Sequence, residues 1–223
     1  MNTKMNYYNH KTRITASTIG VLLGLAGFIN HGLFEILQGN TSTNGFMIEA
    51  IGKSHRYWIH GTEGAFTLIP NFLITGVTVL FVSLAIIIFS IKFLHKRYGA
   101  TIFLLLLILL TLVGGGIGHI VLFLPTWAYA TRINKPLAWW SKILPIKVRR
   151  VLAKVWAPML VITSLSWFIV MELGIFGYFP GQTNPDIILN ICFGFVLLTV
   201  LFANLSFICG FAQDIEERKE RPN

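Results

Sequence analysis

Five stretches of the chain, 14–34, 64–91, 99–131, 155–171 and 187–213, contain no Asp, Glu, Lys or Arg. Each is near or above the roughly 20 apolar residues that carry a helix across a bilayer. With 54% hydrophobic and 12% charged residues there is too little polar side chain to cover a soluble domain. The pattern predicts an all-α, polytopic integral membrane helical bundle. Its helices are expected near 14–37, 65–94, 100–129, 155–179 and 187–212, in a single transmembrane domain spanning 1–213. The connection 130–154 reads as a basic interfacial elbow and 214–223 as a tail.

The first stretch follows Lys4, Lys11 and Arg13 and so resembles a secretory signal, but no A-x-A cleavage pattern follows it. It runs on into Asn30, His31 and Glu35. A retained first helix is expected. Cys192 and Cys209 are 17 positions apart on the last helix, about 25 Å at 1.5 Å per residue, too far to bridge each other. Both read as small apolar fillers. The net charge of +9 sits in the connections, beside lipid headgroups, and no nucleic-acid motif accompanies it.

Those cations also test the threading, because Lys and Arg near helix ends prefer the cytoplasmic side. Three precede the first segment, two lie in 38–64, three in 92–98, seven in 130–155 and three in the tail. If all five segments cross, the rule is broken. If segment 99–131 enters from the cytoplasm and returns to it, all but the two in 38–64 lie inside. The sequence TLVGGGIGHIVLF at 111–123 supplies the means. Gly114, Gly115, Gly116 and Gly118 reach backbone angles closed to other residues and could form the bend of a re-entrant hairpin. The rival is one long tilted helix with a glycine packing groove. In the hairpin threading both termini are cytoplasmic.

Ionisable residues inside apolar segments are expensive and often functional. On the first helix Gly20, Gly24, Gly27, His31, Glu35 and Gln38 share one stripe, glycine at one end and polar at the other. The glycines read as a helix-packing face. His31 and Glu35, one turn apart, suit a hydrogen bond, a proton relay or two ligands to one metal. His60 and Glu63 lie in HRYWIHGTEG before the second helix, Glu172 lies in the fourth, and His119 follows the bend. These six, His31, Glu35, His60, Glu63, His119 and Glu172, are the candidates for ion or proton handling. No cofactor is expected; a metal, if bound, would draw on His31, Glu35 and His60, although H-x-x-x-E alone is not an established signature. In the elbow, Trp139, Trp140, Arg149 and Arg150 are expected at the lipid interface.

The motifs LQGN (37–40), IPNFLITG (69–76), LVGGGIG (112–118), TRINKPLAWW (131–140) and FAQDI (211–215), in this order, resemble a family of uncharacterised prokaryotic multi-pass membrane proteins. The resemblance implies a prokaryotic cytoplasmic membrane and assigns no activity or site residue. In similar sequences a proline often stands where this chain has His119, which makes the glycine bend the more characteristic feature.

The leading functional expectation is transport: a small permease, a channel-like protein or the membrane subunit of a transporter. The alternatives are an intramembrane enzyme acting on a lipid through His and Glu groups or a metal, and a non-catalytic assembly partner. Membrane lipids are the expected partners, with a membrane protein or a second copy of the chain next.

Overall fold

The computed structural model describes residues 8–220. The chain forms α1 (His10–Leu37), two short antiparallel strands β1 (Met47–Glu49) and β2 (Gly64–Phe66), then α2 (Phe72–Lys92), α3 (Gly99–Leu112) and α4 (Ile120–Ala130). It continues through α5 (Ala138–Ile143), α6 (Ile146–Lys154), α7 (Trp156–Phe176) and α8 (Pro185–Glu220). Four of these helices, α1, α2, α7 and α8, are long and apolar enough to cross a membrane, as a multi-pass membrane protein requires. The 28 residues of α1 rise about 42 Å. Within it, Gly27–Leu33 winds as a π-helix, a form that recurs at functional sites.

The third apolar segment turns back on itself. Asn134, just beyond α4, donates its side-chain N–H to the His95 carbonyl before α3 at 2.7 Å, so both ends of the hairpin lie together. Asn9 reaches the same place, its backbone N–H bonding the Ile133 carbonyl and its side chain those of Arg132 and Lys135. At the other end the bend meets the connection between α1 and α2: Leu68 N–H bonds Leu112 O, and Ile117 N–H bonds Gly64 O. The α3–α4 segment is therefore a hairpin whose two ends lie together at one end of the bundle. The start of α1, both ends of the hairpin, the α5–α6 elbow and the end of α8 share one face. Among the described cations only Lys53 and Arg56 lie on the opposite face; Lys4 and Arg221 fall outside the described residues.

Lipid tails are as apolar as leucine, so close packing and interhelical hydrogen bonds hold such a bundle more than hydrophobic burial does. The glycine stripe of α1 packs as expected. A Cβ at Gly24 would meet Ile87 and the Ser83 carbonyl, and one at Gly27 would meet Ser83 and Leu110. On the facing helix a Cβ at Gly76 would stand 2.7 Å from the Gly32 carbonyl, so the backbones of α1 and α2 nearly touch there. Polar bonds tie α7 to its neighbours: Trp167 Nε1 donates to Leu22 O at 3.1 Å, Trp156 Nε1 to Thr15 Oγ1 at 2.9 Å, and Thr163 pairs with Ser206.

Helix boundaries depart from the sequence reading in three places. Residues 64–66 pair as β2 with β1, so α2 starts at Phe72, where Pro70 and the Asn71 side chain, accepting from Ile74 N–H, set its first turn. The last helix does not stop at 212; it continues to Glu220, because its final turns pack on α6 and the start of α1. The elbow is two helices rather than a surface strap. Arg149 is only 3% exposed and donates to Glu216 at 2.5 Å, and Trp140 packs on Phe211, whereas Trp139 and Arg150 are exposed. Two of the four residues expected at the lipid interface are thus turned inward.

Candidate functional site

Three elements far apart in sequence deliver His31, Glu63 and His119 to one point. One donor atom from each lies within 4.8 Å of the other two. His31 projects from the π-turn of α1 and is fully buried. Glu63 is held by the backbone around it, since its carbonyl accepts Ala50 N–H and the neighbouring Gly64 carbonyl accepts Ile117 N–H. His119 begins the returning arm of the hairpin and is 3% exposed.

The His31 ring donates through Nε2 to Glu63 Oε2 at 3.1 Å, and Gly118 N–H donates to Glu63 Oε1 at 3.1 Å. The rings of His31 and His119 meet edge to face with centroids 5.4 Å apart, and Trp167 covers the far side of His119 at 5.8 Å. Burial would push the Glu63 carboxyl up, but the imidazoles of His31 and His119 and the Gly118 N–H outweigh it and hold the group at about 2.

The glycines form the roof of this cluster. Gly114 and Gly116 have φ of +116° and +93°, outside the range of ordinary side-chain-bearing residues. Space forbids a side chain as firmly as angle does. A Cβ at Gly116 would stand 2.5 Å from His31 Nε2 and 3.1 Å from Glu63 Oε1, and one at Gly118 would stand 2.7 Å from the same carboxylate oxygen. Gly114 lies over Glu35, with its two oxygens 3.0 and 3.1 Å from where a Cβ would be. Glu35 is fully buried, and neither oxygen has a hydrogen-bond partner among the described residues.

Beside the cluster is a cavity of about 400 Å3 between α1, α4, α7 and α8, closed on one side by the α1–α2 connection. Its wall is mostly apolar, including Trp58, Trp167, Met171 and Val196, with Glu63 and His119 among its polar members. Val121 and Phe193, which also line it, are exposed on the flank of the bundle.

Of the six ionisable candidates, the structure brings together His31, Glu63 and His119, with Glu35 adjoining. His60 lines the cavity but bonds Asp186 at 2.9 Å rather than joining the cluster. Glu172 stands apart, half-buried on α7, outside the cavity wall and without a hydrogen bond or ion pair among the described residues. Among the described residues the group that offers a metal ion three donors is His31, Glu63 and His119, which shares His31 with the expected set of His31, Glu35 and His60.

Compared with models of known protein families, with curated proteins and with solved structures, the chain matches none.

Several contributors to the site carried no sequence signal. Trp58 and Trp167 stood out by nothing in the sequence and Cys192 read as a small apolar filler, yet all three line the cavity. Asn30 also lines it, with its side-chain carbonyl oxygen buried and unpartnered. Only its place one position before His31, in an otherwise apolar helix, marked it. Chemically the group offers two things: an imidazole beside a carboxylate for proton transfer, and a mixed imidazole and carboxylate donor set.

Proposed function

We propose that the protein is an intramembrane enzyme that acts on an amphiphilic, lipid-type substrate. Its acyl portion would occupy the apolar cavity while its polar group meets Glu63 and His119. The observation that carries this reading is the cavity itself. It is a mostly apolar space of about 400 Å3, bordered by the flank residues Val121 and Phe193, and its wall includes the imidazole of His119 and the carboxylate of Glu63. A lipid chain dissolved in the bilayer matches such a wall better than a hydrated ion does. Glu63 and His119 meet the polar group at the place where water would hydrolyse a bond, the leaving oxygen taking up the water's proton. The basic face is cytoplasmic and the cluster lies toward the opposite side of a prokaryotic inner membrane, an orientation supported by the positive-inside rule.

The second reading is a small permease or channel-like protein, favoured by the broken, re-entrant segment and the bare carboxylate of Glu35, devices that ion-handling proteins use. The cavity wall includes neither Glu35 nor Glu172, two of the six candidates for ion or proton handling, so this reading comes second.

Purified protein reconstituted in vesicles of total bacterial phospholipid is expected to convert at least one lipid species, followed by mass spectrometry. His119→Ala should lower that conversion by about 100-fold or more, the size typical for a lost acid–base group. If no lipid changes while a vesicle-trapped ion or solute leaks in a manner that Glu35→Gln abolishes, the protein is a permease instead.

A further inference from the structure

We propose that His31, Glu63 and His119 bind one divalent transition-metal ion beneath the glycine bend, with Glu35 as the nearby carboxylate that balances its charge. This deepens the enzyme reading, on which its functional meaning rests, by naming the cofactor of the same site.

The donor geometry is the first support. Ions of this class hold imidazole nitrogen and carboxylate oxygen at about 2.0–2.2 Å, which places neighbouring donors about 3.0–3.6 Å apart. His31 Nε2 and Glu63 Oε2 are already at 3.1 Å, and all three donor atoms fall within 4.8 Å, so small side-chain adjustments close the set. Two imidazoles and a carboxylate suit zinc, iron and manganese, and such a set leaves coordination positions open for water or substrate.

Unpartnered polar atoms are the second, independent support. Both Glu35 oxygens are buried with no hydrogen-bond partner among the described residues. Buried polar groups are nearly always paired, and an orphan points to a bound water or ion. No Lys or Arg forms an ion pair with Glu35 or Glu63 among the described residues; Arg56, the cation nearest Glu63 in sequence, is bound to Glu49. A divalent ion would neutralise two carboxylates in a place where an isolated charge is costly.

The surroundings are the third. Gly118 N–H fixes Glu63 Oε1, the kind of outer contact that orients a metal-binding carboxylate. The absence of side chains at Gly116 and Gly118 lets the bend pass close over His31 and Glu63 with no Cβ beside their donor atoms.

The test is metal analysis of protein purified through a tag free of histidine and without chelator, then stripped and reloaded separately with Zn2+, Mn2+ and Fe2+. About one ion per chain is expected in the wild type from at least one of these metals. His31→Ala and His119→Ala should each lower occupancy tenfold or more, whereas Glu172→Gln, away from the cluster, should leave it unchanged. Glu35→Gln keeps all three donors and should weaken affinity by about 10–100-fold, the range for outer contacts. Because an alanine variant could fail to fold, the reloaded wild type provides a second measurement: its thermal unfolding temperature should rise on adding the ion that binds.

Less than about a tenth of an ion per chain after reloading with all three metals would overturn the proposal, as would His31→Ala and His119→Ala holding metal as the wild type does. Lipid conversion by metal-free protein would defeat the metal while leaving the enzyme reading intact. Stoichiometric metal without lipid conversion would do the reverse.

Discussion

Gly116→Val is expected to abolish lipid conversion, with a loss of about 100-fold or more, since displacement of reacting groups by an ångström costs that much. Two effects act together. At φ +93° a β-branched residue carries backbone strain on the order of 1–3 kcal/mol, and its Cβ would lie 2.5 Å from His31 Nε2, so the roof or the ring must move. His31 is fully buried beneath the bend, so its ring has no solvent-facing space to move into. Gly194→Ala serves as the comparison. An added Cβ there meets nothing within 4 Å, and alanine favours the helix, so activity should stay within about twofold of wild type. Equal activity of Gly116→Val and wild type in the vesicle assay would show that the bend does not shape the reacting groups.

Asp214→Ala should produce the largest loss of stability among substitutions far from the cluster. The first turn of α1 exposes N–H groups that its own preceding residue does not cap, because the Asn9 side chain bonds Arg132 and Lys135 carbonyls instead. Asp214, 5% exposed near the end of α8, fills that role from another helix. It accepts Lys11 N–H at 2.8 Å, Thr12 N–H at 2.9 Å and the Thr12 hydroxyl at 2.7 Å. Three bonds to one carboxylate, two of them at a helix N-terminus, make its removal worth about 2–4 kcal/mol. The unfolding temperature in detergent, followed by tryptophan fluorescence, should fall by several degrees, and Asp214→Asn should fall less. Trp156 reports well on this region, since it bonds Thr15 and lies under Lys11. A change within one degree for Asp214→Ala would mean that α1 and α8 are held together elsewhere.

Much of the architecture was legible because bilayer thickness leaves few options: long uncharged runs must span or turn back. The cation distribution and four glycines in 114–118 pointed to the turn, and the Asn134 to His95 bond closes it as that reading requires. The connection 38–71 was opaque by contrast. Its two strands are three residues each, too short for an alternating pattern to register, and they alone decide where Glu63 lies. His31 and Glu35 were legible as polar residues on an apolar helix. Their pairing was not, since the π-turn that carries His31 breaks the regular spacing from which a shared face was inferred. His60 and Glu172 stood out for the same compositional reason, yet Asp186 claims the first, and the second sits on α7 near Cys192 but outside the cavity wall. Asp214, within the FAQDI motif, looked like the start of a charged tail because its partners lie about 200 positions away.

Everything proposed for the site depends on a hairpin that returns to the face it left, carrying its glycine bend over His31 and Glu63. Labelling of single cysteines tests this most directly, in a background with Cys192→Ala and Cys209→Ala and with Lys11→Cys, Lys53→Cys or Lys142→Cys added one at a time. A membrane-impermeant maleimide applied to intact cells should modify only the cysteine at position 53, and those at 11 and 142 should react together after permeabilisation. Reaction at 142 together with 53, while 11 stays protected, would place the two ends of the hairpin on opposite sides and contradict it.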